Sequence, residues 1–130
     1  MGSDFWDPNA KTHNAAGELD PAAIAHDIDV HGTAWAHKKH AADLLERTTG
    51  AVLAQLTNAI RREQPDLTRK ESEDIAKGSE DYLNHLYAAA DARRDANLAR
   101  VKYEAAQARF EAIRSLEATR RVEINTLHRR

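Results

Sequence analysis

Residues 79–130 read SEDYLNHLYAAADARRDANLARVKYEAAQARFEAIRSLEATRRVEINTLHRR, with no Pro and no Gly. Ala, Leu, Arg and Glu dominate the stretch, and these residues lose least on entering a helix. It reads as one helix over residues 80–128, with Ser79 as N-cap and Glu80 and Asp81 in the first turn, where acids suit the dipole. At about 1.5 Å per residue the helix is a rod roughly 70 Å long, far beyond the mean globular helix. Such a rod cannot bury its apolar stripe against itself. It requires a second long helix, from the same chain or from another copy.

Working back from Ser79, Gly78 reads as a helix stop and Thr68-Arg-Lys-Glu71 as a capping box that opens a short helix over 69–77. Pro65 disfavours helical geometry in Gln64. A helix running from Asp20 and Pro21 therefore ends near Gln64, with Asp20 as N-cap and Pro21 at the first helical position. Its apolar track is Ile24, Ile28, Trp35, Ala42, Leu45, Val52, Leu56 and Ala59, with His31, Lys38 and Thr49 on the same line. Three- and four-residue steps of this kind make a coiled-coil-like seam. Gly32 and Gly50 weaken the helix, and either admit a neighbouring helix or mark a bend.

The expected fold is all-α: two long helices, 21–64 and 80–128, joined by a helical elbow into a coiled-coil-like hairpin, and dimeric. In the last helix Tyr82, Leu86, Ala89, Ala96, Tyr103, Ala106, Phe110, Ile113, Leu116, Ile124 and Leu127 fall near one face. Leu86, Tyr103, Phe110, Ile113 and Ile124 are the candidate oligomer seam. Arg93 and Arg100 lie close to it, so each must be paired, reach water, or face a partner. Glu111 with Arg114, and Glu117 with Arg120 or Arg121, are spaced as solvated pairs.

Composition supports extended helices over a compact globule. Of 130 residues 31% are charged and only 5% aromatic, so stability must come from length of contact or from self-association. A net charge of -2 argues against wholesale nucleic-acid binding. The absence of Cys excludes disulfides and thiolate metal sites. No apolar run approaches a membrane span, and MGSDFWDPN is acidic where a signal peptide is basic, which points to a cytoplasmic protein without membrane association.

Residues 1–20 follow no helical or alternating period and are expected to form an irregular or disordered arm. Phe5 and Trp6, flanked by Asp4 and Asp7, have the composition of a docking peptide, or of a plug that folds back on the helices. The start of the chain is acidic, with Asp4, Asp7, Glu18, Asp20, Asp27 and Asp29 against Lys11. The end is basic, with Arg109, Arg114, Arg120, Arg121, Arg129 and Arg130. A hairpin brings these two ends to one tip, where they can pair. The arginines Arg114, Arg120, Arg121, Arg129 and Arg130 are also candidates for phosphate contact.

Chemistry beyond binding finds little support. His37 and His40 are three apart on one helical face, but Lys38 and Lys39 between them repel a dication and no further ligand completes a set. Neither a metal nor a cofactor is expected. Nucleophile elbow, phosphate loop, dinucleotide fingerprint and Glu-x-x-His pairs are all missing, so the chain reads as a non-enzyme.

Residues Arg100–Glu123, RVKYEAAQARFEAIRSLEATRRVE, resemble the closing helix of small coiled-coil proteins of tailed phages and prophages, and the resemblance covers about the last half of the chain. Genes of that group often stand beside single-strand annealing proteins and exonucleases. The resemblance implies an accessory or inhibitor protein that binds a phage or host DNA-processing protein in the host cytoplasm. It carries over no catalytic residues, and the arm with Phe5 and Trp6 has no counterpart in it. Direct nucleic-acid binding through the arginine-rich end is the alternative. A third reading, a secreted or structural helical hairpin, is weakened because the Trp-x-Gly spacing of paired-helix export substrates fails at His37, two after Trp35.

Overall fold

The computed structural model describes residues 20–129, and all regular structure among them is helical. Four helices follow in order: α1 (Pro21–Arg47), α2 (Thr49–Glu63), α3 (Arg69–Lys77) and α4 (Glu80–His128). The arm, with Phe5 and Trp6, lies outside the described residues, as does Arg130.

Local chemistry sets most boundaries. The Asp20 carboxylate accepts from the Ala22 amide at 3.0 Å and its carbonyl from Ile24 at 3.1 Å, which opens α1. The Thr68 hydroxyl accepts from the Glu71 amide at 3.1 Å and donates to Glu71 Oε1 at 3.1 Å, so the box closes through the hydroxyl. Gly78 stops α3 without entering left-handed geometry: its φ is -88°. Ser79 follows at once, donating to the Ala76 carbonyl at 2.6 Å and accepting from the Tyr82 amide at 3.3 Å. One serine thus closes α3 and caps α4.

The expected single helix over 21–64 is two. At Thr48 the regular pattern gives way to a turn, with φ -87° and ψ -3°. The physical reason is local competition. Thr48 and Thr49 hydroxyls donate to the Leu45 carbonyl at 3.2 and 3.1 Å, and Thr48 also reaches Leu44 at 2.9 Å. Hydroxyls that bond back to the preceding turn bend helices, and Gly50 follows with no side chain to resist.

The chain divides into two compact units. In the unit of residues 36–97, the end of α1 and α2 run antiparallel to the start of α4: Asp43 and Glu46 meet Arg93, and Leu45 and Thr49 meet His85. Its interior is lined by small residues, Ala42, Ala76, Ala89 and Ala96. Helix α3 packs on α2, burying Thr57 and Ser72. Each turns its hydroxyl to its own helix, Thr57 to Leu53 and Ser72 to Thr68, so neither is left unpaired. Ala59, placed on the buried track by spacing, is exposed, because Thr57 turns toward α3 and Ile60 takes the half-buried position.

The other unit, described over residues 20–35 and 98–129, holds the start of α1 and the rest of α4. Gly32 sits against Tyr103: a Cβ at Gly32 would stand 3.0 Å from Tyr103 Cε2. Trp35 lies one turn on, its ring 5.5 Å from that of Tyr103 at 31°. Ile24, Ala99, Ala106 and Ile113 are buried. The missing side chain at Gly32 is what admits the aromatic ring.

Candidate interaction surface

Inward positions on α4 step by threes and fours. Tyr82, His85, Ala89, Ala92 and Ala96 line it in one unit, and Ala99, Tyr103, Ala106, Phe110 and Ile113 in the other. Of the candidate seam residues, Tyr103, Phe110 and Ile113 are therefore taken up inside their own unit. Leu86 and Ile124 are exposed at 37% and 45%. Position 85, not 86, faces inward, and His85 occupies it.

Arg93 resolves as a paired arginine. Its Nε donates to Glu46 Oε1 and an Nη to Glu46 Oε2, both at 2.8 Å, and that Nη also reaches Asp43. The fork grips two carboxylates one helical turn apart. Hydrogen bonding to Arg93, with Lys39 adding at Asp43, holds both carboxyls below their ordinary values, against partial desolvation. Glu46 first and then Asp43 push the Arg93 pKa upward. Among the described residues Arg100 reaches only Glu104, at 3.8 Å.

Beyond Ile113 the picture changes. Every residue from Arg114 to Arg129 is exposed, over fifteen residues of α4 that continue past the last buried position. Leu116 and Leu127 are 64% and 69% exposed. Val122 and Ile124 are exposed with them. Arg120, Arg121 and Arg129 stand between and beside these side chains, and Glu117 and Glu123 share the segment. Arg114 pairs with Glu111 at 3.6 Å and lies 5.9 Å over the Phe110 ring. The spacing of Glu117 with Arg120 and Arg121 produces no ion pair within 4 Å. This helix end is apolar on one stripe, Leu116, Ile124 and Leu127, and cationic beside it.

Other sites offer less. A cavity of about 150 Å³ lies between α2 and α3, lined by Gly50, Leu53, Thr57, Arg69 and Glu73 among others. It is below the usual size of a small-molecule site. His26, His37 and His40 are exposed. No group of three or more potential metal ligands occurs among the described residues. No described helix is long and apolar enough to cross a membrane. No family model, curated protein or solved structure matches the chain.

Sequence reasoning missed His85, and of the Thr48 break it gave only the alternative of a bend at Gly50. The signal for His85 was its step of three from Tyr82 and four to Ala89, which its polarity concealed.

Proposed function

We propose that the protein is a non-enzymatic accessory or inhibitor protein that acts by binding another protein through the end of α4. Residues 114–129 are the surface, and their uniform exposure with Leu116, Ile124 and Leu127 on one stripe is the observation that carries the reading. A helix face of this kind suits a partner that lays apolar side chains along it and acids beside the arginines. DNA recombination, replication or defence evasion in a tailed phage or prophage is the setting that Arg100–Glu123 resembles. The partner on this reading is a phage or host DNA-processing protein. Self-association as a dimer, and residence in the host cytoplasm, belong to the same proposal.

The test is capture from host lysate with and without nuclease, using the intact protein and the double variant Leu116→Asp/Leu127→Asp. A nuclease-resistant protein partner lost in the double variant is the expected result. Recovery of nucleic acid alone, weakened by salt and by neutralising Arg120 and Arg121, transfers the function to direct nucleic-acid binding.

A further inference from the structure

The exposed stripe on α4 begins where α1 begins. In this unit the pairing is antiparallel: Ile24 lies eight residues before Gly32, and Ile113 ten after the Tyr103 that Gly32 meets. Both isoleucines are buried, at 1% and 7%, so they mark the last covered level of α4. From there α4 continues for fifteen residues, roughly 22 Å at the rise of an α-helix. The chain preceding Pro21 leaves from the same level. From Asp20 back to Trp6 is fourteen residues, which extended reach about 46 Å, twice the uncovered length.

Charge and composition match the two. The arm carries Asp4, Asp7 and Glu18 against Lys11, and its only aromatics are adjacent, Phe5 and Trp6. The α4 end carries Arg114, Arg120, Arg121 and Arg129 against Glu117 and Glu123. A second copy matches less well. It brings the same excess of cations, Arg114, Arg120, Arg121 and Arg129 against Glu117 and Glu123, so the two ends carry like net charge. A tethered segment also needs no encounter, since its effective concentration is set by the length of chain that holds it.

We propose that in the free protein Phe5 and Trp6 lie on the Leu116, Ile124 and Leu127 stripe of α4, with Asp4 and Asp7 toward Arg120 and Arg121. The arm is then an internal occupant that a partner must displace. This rests on reading the stripe as the partner surface, and the two fail separately.

The chain has two tryptophans, Trp6 and Trp35, so full-length protein labelled with 5-fluorotryptophan gives two fluorine resonances. Trp6→Phe assigns them. At low protein concentration the Trp6 resonance should stand apart from that of a synthetic peptide of residues 1–12. It should return to the peptide position in Leu116→Asp/Leu127→Asp while the Trp35 resonance stays in place, which also shows that the variant is folded. A Trp6 resonance at the peptide position in the unmutated protein overturns the proposal. So does a displacement that appears only as protein concentration rises, which gives the stripe to a second copy.

Capture separates the two readings. Phe5→Ala/Trp6→Ala should raise partner capture several-fold, and its loss in that variant would assign the aromatics to the partner and overturn the proposal. If Leu116→Asp/Leu127→Asp moves Trp6 without affecting capture, the internal contact stands and the partner surface lies elsewhere.

Discussion

His85 donates its Nε2–H to the Leu45 carbonyl at 2.9 Å, from forty residues away in the chain. The same Nε2 lies 3.1 Å from Thr49 Oγ1. The Leu45 carbonyl belongs to the turn where α1 gives way to α2, so a side chain of α4 holds the break in place. His85→Leu fills the inward position with an apolar side chain but removes the donor. It should lower unfolding free energy by about 1 kcal/mol, the net value of one hydrogen bond, measured by urea denaturation. Wild-type stability in that variant would show that the Thr48 and Thr49 hydroxyls suffice.

The same substitution at two glycines should have opposite signs. At Gly50 an added Cβ meets nothing within 4 Å, so Gly50→Ala should stabilise by about 0.4–1 kcal/mol through the unfolded chain. At Gly32 the Cβ stands 3.0 Å from a ring that Trp35 backs and whose hydroxyl accepts from Gln107 at 2.9 Å. Overpacking of about 1–3 kcal/mol exceeds the gain in helix propensity of about 1 kcal/mol, so Gly32→Ala should destabilise. In a Tyr103→Ala background the Gly32 change should turn stabilising, and thermal melts of the four variants decide it.

Arg93 should govern the acid limb of stability. Asp43 and Glu46 have folded pKa values depressed below the ordinary 3.8 and 4.5. A depressed carboxyl contributes stability above its unfolded pKa and loses it as pH falls through the folded value. The loss therefore sets in below about pH 5 and is complete only below the depressed values. The raised Arg93 pKa has the other sign, so its contribution persists through that whole range and is lost only in strong alkali. Arg93→Gln should lower stability at neutral pH and flatten its decline between about pH 5 and pH 2. An unchanged acid limb in the variant would remove the pair from that role.

Hydrogen exchange should divide α4 at Ile113. Amides from Tyr82 to Phe110 are supported by packing on α1 or α2, whereas residues 114–128 depend on helix propensity alone wherever nothing covers them. The second group should exchange faster, and Phe5→Ala/Trp6→Ala should speed it further without changing the first. Equal protection along the whole helix in both proteins would contradict this.

Where the fold was legible, the signal was chemistry acting over one helical turn. Asp20 with Pro21, Thr68 with Glu71, and Ser79 after Gly78 each fix a boundary through bonds to residues two to four away. The three-four alternation likewise identified Ala89, Ala96, Ala106 and Ile113 as buried. What stayed hidden depends on residues far apart. Thr48 and Thr49 are ordinary in a helix until a distant histidine makes the freed carbonyl useful. Leu86 looked inward because it is apolar, yet the steps from Tyr82 to Ala89 select His85. For Arg93 the need of a partner was legible, but Asp43 and Glu46 lie across a helix pairing that spacing within α4 does not encode. The α4 surface was half legible: the arginines were visible as a basic end, but the exposure of Leu116 depends on Ile24 of α1 standing near the level of Ile113, a pairing that spacing within α4 does not encode.

The interior of small side chains inverts the usual map of tolerance. At Ala42, Ala89, Ala96, Ala99 and Ala106 the backbones approach because almost nothing stands between them, so any larger residue must push the helices apart. The bulky exposed residues Tyr87, Leu98 and Val101 make no such demand. In a saturation scan for stability the intolerant positions of this chain will be its plainest letters, while large apolar residues such as Tyr87, Leu98 and Val101 will be freely exchangeable.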